Sequence, residues 1–437
     1  MAGAAVKAFR YESRWLVLHG GLRLLSRREA RRGNPVARLV SDPQVRDDPY
    51  PMYAETRQLG RVVATKLMHV TADHGVVSGI LRDSQSFGVQ FADSAAVPVG
   101  LRWALKAPDP ELATVIEPPS LLAVDPPTHT RYRRLVSKPF TPRALQQVAD
   151  RVEERAAELL DGLAGRRQVD IVTEYAELLP VAVIAEILGV PADMHAQFLA
   201  WGHEGAPVLD IGLRHRTFHQ VKRSVQAMNA WFDEHFANLR RHPGDDILSQ
   251  LVNADPEERL TDLELRATAM LLLGAGFETT VNLLGTGVAV LAPDEKSRGR
   301  LAADPELWPQ AIDELLRFDS PVQLTGRVAL ADTEVDGVPI KRGTPLVLLL
   351  GGANRDPATF PNPDVYDLDR PNSREHVAFS GGVHYCLGAN LAKMEGASGL
   401  RLLFERFPDL QVVPASGVRR DLQTLRGYRR LLVNLAG

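Results

Sequence analysis

The sequence predicts a mainly α-helical protein with a small β region, folded as a single domain. Three observations carry that prediction. Residues 262–290 follow one long helical pattern, in which Leu271, Ala275 and Thr279 share a stripe at about 100° per residue. The region after Lys341 reads as short strands, with Pro345–Leu350 as a buried one and Asp336-Gly337 as the turn of a hairpin just before it. No linker-like stretch, repeat or low-complexity run divides the 437 residues. Residues 41–437 are therefore expected as one domain behind a basic extension at 1–40.

The extension comes first in chain order. Its first 33 residues hold eight Lys/Arg against two Glu, a net +6, which leaves −9 for the remainder of a chain of net charge −3. Trp15, Leu16, Leu18, Leu22 and Leu25 interleave with Arg14, Arg23, Arg27 and Arg28, the pattern of a basic amphipathic helix. Such a helix can lie on an anionic membrane surface. The plainer reading packs it on the body with its arginines in water; a transit peptide is a third reading. The apolar runs fall short of the ~20 residues that span a bilayer, and no secretory signal is visible. One cysteine is compatible with a reducing cytoplasm. With 45% hydrophobic residues and little net charge, the chain reads as a soluble cytoplasmic protein with no nucleic-acid partner.

Asp125-Pro126-Pro127 opens the next clear helix. His129 and Arg133 share one face of it, while Arg131, Arg134 and Lys138 lie nearly opposite. A helix basic on both sides needs two anionic partners, or one partner and water. His203, Arg214, His215, Arg216 and His219 suggest a basic flap or simply a solvated loop. In the long helix, Gly274, Gly276, Thr279 and Thr280 are poor helix formers, each glycine costing about 1 kcal/mol against alanine. A local opening is expected there; glycines for close packing are the alternative. Glu314 and Arg317 stand three apart between Ala311-Ile312 and Leu315-Leu316, so the pair reads as buried and mutually satisfied.

Cys386 is the only cysteine. It can form no intramolecular disulfide and no multi-thiolate cluster. If the sulfur has a role, it is a lone nucleophile or the one protein ligand of a metal that brings its own equatorial ligands, haem iron above all. An inert buried thiol is the alternative. Gly381, Gly382 and Gly388 around it allow tight turns and close approach of a flat ligand, and a helix follows from Leu387.

Together these segments resemble the cytochrome P-450 family of haem-thiolate monooxygenases, soluble bacterial branch, from about residue 45 to the C-terminus. The resemblance rests on Phe379-Ser380-Gly381-Gly382-Val383-His384-Tyr385-Cys386-Leu387-Gly388, Ala275-Gly276-Phe277-Glu278-Thr279-Thr280, Glu314-Leu315-Leu316-Arg317 and Ala353-Asn354-Arg355-Asp356-Pro357. Ser380 stands where glycine is more usual, and Glu278 where aspartate is.

The resemblance implies a cytochrome P-450 fold with one haem domain and haem b as cofactor, Cys386 being the axial iron ligand. Phe379 and Gly388 would line the thiolate side, and His129, Arg133, Arg327 and His384 would hold the propionates. Thr279 would hydrogen-bond dioxygen during its activation while Glu278 relays protons. Glu314, Arg317 and Arg370 would form a structural core. A small apolar substrate would meet Phe87, Phe91, Trp103, Leu271, Leu272, Ala275, Val322, Leu324, Thr325 and Leu425. Electrons would come from separate proteins, most simply a ferredoxin and ferredoxin reductase. Apart from the resemblance, the outer face with Arg131, Arg134 and Lys138, and with Lys393, could dock an acidic donor on the thiolate side; a solvated basic face is the alternative. A peroxide-driven peroxygenase and a non-catalytic haem or ligand-binding protein are the alternatives.

Overall fold

The computed structural model describes residues 11–65, 68–91, 94, 113–257 and 259–435. Helix Asp262–Leu291 is the axis of the molecule. It starts on a capping box, Thr261 N–H donating to Glu264 Oε2 at 2.8 Å while Thr261 Oγ1 accepts from the Glu264 N–H. Among the described residues it is the one helix long and apolar enough to cross a membrane, yet its apolar window is 72% buried inside the protein. Its hydrophobicity is that of a core helix. Around it pack Leu178–Leu188, His195–Gly205, His215–Arg241, Trp308–Phe318 and Ala389–Arg406.

The expected opening of this helix is absent: residues 262–291 are continuously α-helical. The Thr279 hydroxyl donates to the Ala275 carbonyl at 3.1 Å without breaking the backbone ladder. Gly276 serves packing instead, since a Cβ there would come within 2.7 Å of Ile184.

A five-stranded sheet flanks the helices, in spatial order Val63–Ala64, His69–Thr71, Pro345–Leu348, Thr325–Ala329 and Phe87–Gly88. The buried strand ends at Leu348 rather than Leu350 because the chain turns into the short helix Leu350–Ala353. The hairpin lies where the sequence puts it. Thr333–Val335 pairs with Val338–Ile340 across Asp336 and Gly337, at φ 52° and 77°, the positive-φ pair that a two-residue hairpin turn requires.

The N-terminal segment packs on the body. Tyr11 stacks on Phe218 with ring centroids 4.5 Å apart, and Trp15 Nε1 donates to the Leu213 carbonyl at 3.2 Å. His19 Nδ1 accepts from Leu213 N–H at 3.2 Å, and Arg23 donates to the Gly212 carbonyl at 2.9 Å. Leu16 and Leu24 stay exposed.

Candidate active site

The thiol loop is built by a chain of turns. Ser380 N–H donates to the Val377 carbonyl at 2.9 Å, Tyr385 N–H to Gly382 at 3.1 Å, and Cys386 N–H to Phe379 at 2.9 Å. Gly382 has φ +62°, and a Cβ there would sit 2.4 Å from the Leu81 carbonyl oxygen, so no other residue fits. Gly381 is extended and Gly388 has φ −88°, so one glycine of the three takes the left-handed conformation. Ser380 takes the other left-handed position, φ 63°. An L-residue there costs about 1–2 kcal/mol, offset by the roughly 0.4–1 kcal/mol by which a glycine loosens the unfolded chain. Ser380→Gly should therefore stabilise the protein by about 0.5–1 kcal/mol, read as a higher urea midpoint at unchanged slope.

Cys386 is exposed on one side. A Cβ placed on Gly388, which caps helix Ala389–Arg406, would meet no protein atom within 4 Å, so this side of the loop can take a flat ligand. Protein encloses the sulfur elsewhere. Desolvation pushes the thiol pKa up, against a hydrogen bond from Gly388 N–H and the charge of Arg133.

The predicted propionate clamp is assembled from three elements. His129, buried on helix Thr128–Ser137, meets His384 edge-on at 4.4 Å. Arg133 donates to the Val383 carbonyl at 3.3 Å. Arg327, 3% exposed, donates Nη1–H to Gly326 at 2.8 Å. Its Nη2, and Nε2 of His384, are buried with no hydrogen-bond partner among the described residues. Burial pulls Arg327 down to about 10, and burial with the charges of His384 and Arg133 pulls His129 down to about 4. The nearby anion is Asp125, 3.9 Å from His384, and it already accepts from Val89 N–H at 3.1 Å. Buried cationic donors in excess of their anion call for an anionic guest. The donor set and the open thiol face fit haem: Cys386 would hold the iron, and His129, Arg133, Arg327 and His384 the propionates.

On the central helix the stripe is the less buried face. Ala275 is exposed and Leu271 and Thr279 partly so, while Met270, Leu272, Leu273, Phe277 and Glu278 are buried. Glu278 Oε1 lies 3.1 Å from Arg420 and Oε2 3.9 Å from His203, and neither oxygen accepts a well-aligned hydrogen bond. Arg420 and His203 also meet Glu177, at 2.9 and 3.0 Å. Burial raises the Glu278 pKa, opposed by the charges of Arg420 and His203. Glu395, fully buried beside Thr280, is held well above the usual carboxylate range by desolvation. Sequence reasoning missed Glu177, Arg420, Glu395 and Asp125, which no spacing links to Cys386 or Thr279. It read His203 as part of a basic flap or a solvated loop, whereas the imidazole turns inward to these carboxylates.

Several expected pocket residues belong elsewhere. Phe87 is buried under the sheet in the cluster of Val76, Val77, Ile80 and Leu346, because strand pairing with Ala329 directs it there. Leu272 joins the helical core, and Leu324 packs on the cluster of Met52 and Tyr53. Val322 and Leu425 are bridged, Leu425 itself being buried. The Phe91 ring lies over Gly326, beside Thr325. Trp103 lies outside the described residues.

Glu314, Arg317 and Arg370 meet in the interior: Glu314 accepts from Arg317 Nε at 2.7 Å and from Arg370 Nε at 3.0 Å. On the outer face of Thr128–Ser137 and just beyond it, Arg134 and Lys138 are exposed. Arg131 is paired with Glu264 at 3.2 Å and Lys393 with Asp313 at 2.5 Å.

Comparison with known proteins gives a consistent answer. The cytochrome P-450 family model matches residues 300–425. Cytochrome P-450 140 of Mycobacterium tuberculosis is 46% identical over 96% of this chain and 97% of its own. The 6-deoxyerythronolide B hydroxylase of Saccharopolyspora erythraea is 40% identical over 72% of this chain and 77% of its own. Among solved structures, Mycobacterium smegmatis CYP164A2 superposes with a TM-score of 0.82 at 32% identity, covering 92% of this chain and all of the other. P450BioI, in complex with acyl carrier protein ligated to hexadec-9Z-enoic acid, gives 0.82 at 30% identity over 90% and 99%. With the thiol loop, the cationic clamp and the open stripe of the central helix on one fold, the chain belongs to the cytochrome P-450 family and is a monooxygenase that uses haem b.

Proposed function

We propose that this monooxygenase hydroxylates, or otherwise oxidises, an apolar organic molecule in the cytoplasm, with electrons from a ferredoxin and its reductase. The observation that carries the reading is the open stripe Leu271, Ala275 and Thr279 on a helix otherwise largely buried, which would border the cofactor with apolar surface and one hydroxyl. Phe91, whose ring lies over Gly326, and Thr325 would supply a further wall. The relatives point the same way: P450BioI was solved with an acylated carrier protein, and CYP109E1 of Bacillus megaterium, with a TM-score of 0.81, in complex with testosterone. Residues 1–40 form the basic extension of the haem domain at 41–437.

Haem, when bound, supplies the site of dioxygen reduction, with thiolate ligation favouring O–O cleavage. The chain supplies the protons. Glu278, its pKa raised by burial, takes protons from the side of Arg420, His203 and Glu177. The Thr279 hydroxyl passes them to the oxygen being reduced to water. Arg134 and Lys138, both exposed, would contribute to the basic face that meets the acidic donor.

The test is a reconstituted reaction under labelled dioxygen, with hexadec-9Z-enoic acid and testosterone as probes chosen by spin-state shift. One labelled oxygen per product is expected. A positioned proton donor contributes about 100-fold or more, so Glu278→Gln should lower product formation by about that factor. Reductant consumption would continue as hydrogen peroxide accumulates. Unchanged coupling in Glu278→Gln and Thr279→Ala would overturn the relay. Turnover with peroxide alone, at the full rate, would favour a peroxygenase.

A further inference from the structure

We propose that Glu12, His215 and His219 form a site for one divalent transition-metal ion of the zinc class, joining the N-terminal helix to helix His215–Arg241. The three side chains come from two segments 203 residues apart in sequence and converge on one point. His215 Nε2 lies 2.9 Å from Glu12 Oε2, His219 Nε2 3.0 Å from Glu12 Oε1, and the two Nε2 atoms 3.0 Å from each other. Three ligands of a tetrahedral ion at about 2.0–2.1 Å stand about 3.3 Å apart. With one carboxylate oxygen as ligand, the three donor atoms already lie within 4.8 Å of one another, so a modest side-chain adjustment accepts the metal.

Hydrogen bonding serves this trio poorly. Each Nε2 faces both a carboxylate oxygen and the other Nε2, and one N–H cannot point at both. If both Nε2 atoms are unprotonated, two lone pairs confront each other. A metal ion at the centre uses all three electron pairs at once. The ligands are also held in place. His215 and His219 are one helical turn apart on one face. Trp15 packs edge-on against His215 at 4.9 Å, and Tyr11, next to Glu12, stacks on Phe218.

The surroundings choose the metal. Two imidazoles suit zinc, nickel, cobalt and copper, whereas magnesium and calcium want oxygen ligands. Arg214 and Arg216 flank the site in sequence, which further disfavours ions bound by charge alone. His215 is half-exposed, leaving a fourth position for water. Next to the site, Trp15, His19 and Arg23 hold residues 212–213, and Asp210 accepts from Gln423 and Thr424 N–H at 3.0 and 2.9 Å. Thr424 precedes Leu425, which bridges Val322. The metal would thus reinforce the attachment of the N-terminal segment to a stretch that runs on to the Val322–Leu425 bridge. The inference is independent of which substrate is oxidised.

The test uses the tag-free, haem-loaded full chain titrated calorimetrically with zinc sulfate, and with cobalt(II) followed by its visible bands. One tight equivalent is expected, with tetrahedral cobalt bands, and with protection of the Arg14–Arg32 segment from trypsin. His215→Ala/His219→Ala should lose that equivalent, and Glu12→Gln should weaken it at least tenfold. Haem content and absorption should be unchanged in all variants, which shows that they fold. Equal zinc binding by wild type and the double variant would mean adventitious histidine binding and overturn the site. No binding by wild type, or preference for magnesium over zinc, would overturn it too.

Discussion

Cys386→Ser is expected to abolish the strongly red-shifted Soret band of the reduced, carbon monoxide-bound protein and to reduce monooxygenase activity to background. Serine has nearly the shape of cysteine, and the loop that positions it is fixed by backbone. The N–H of residue 386 donates to the Phe379 carbonyl, Gly382 alone fits against Leu81, and the chain enters helix Ala389–Arg406 through Gly388. None of these contacts uses the sulfur, so the variant should fold and its clamp residues should still face the propionates.

What changes is electronic. Desolvation raises the Cys386 thiol pKa without a metal, and coordination to iron reverses that by deprotonating the ligand outright. A serine hydroxyl ionises with far more difficulty and donates less charge to the metal. The measurement is the reduced carbon monoxide spectrum of wild type and variant, beside product formation from the same preparations. A variant that keeps the red-shifted band would show that another side chain ligates the iron. A wild type that takes up no haem under haem-sufficient expression would remove the central assignment.

How much of this was legible in the sequence depends on the range of the interactions concerned. The thiol loop, the Asp336-Gly337 hairpin and the stripe Leu271, Ala275 and Thr279 are local, fixed by turn chemistry and helical period. The structure places each within a residue or two of where the pattern puts it. The helix opening at Gly276 failed because propensity is a weak prior. The close approach of Ile184 explains the glycine, and the backbone ladder survives beside a threonine whose hydroxyl bonds four residues back. The carboxylate cluster was invisible because Glu177, His203, Glu278 and Arg420 come from four separate elements that only tertiary packing unites. Phe87 was misplaced for a related reason: an aromatic residue near a pocket and one under a sheet look alike until pairing with Ala329 sets its face.

Glu314→Gln is expected to cost about 3–5 kcal/mol and to release haem, a far larger effect than that of an exposed ion pair. Glu314 is fully buried and accepts four donors: Arg317 Nε and Nη2 at 2.7 and 2.8 Å, Arg370 Nε at 3.0 Å and Asp367 N–H at 3.0 Å. Arg317 and Arg370 are themselves 0% and 4% exposed. Their remaining N–H groups donate to the carbonyls of Asn354, Pro361, Asn362, Pro363 and Val365. One carboxylate thus neutralises two guanidiniums that bind together the irregular chain from 354 to 370, and that chain leads into the thiol loop.

Glutamine keeps the volume and one acceptor but removes the charge, leaving two buried cations with no anion in contact. The penalty is the desolvation of those cations rather than the loss of one hydrogen bond. Urea unfolding followed by far-ultraviolet dichroism should show the loss in the midpoint, with the Soret band vanishing before the helical signal because the loop gives way first. Coincident transitions of ordinary stability in the variant would show that Arg317 and Arg370 are satisfied by the carbonyls alone. The triad would then be a fastening of the loop that the fold can do without.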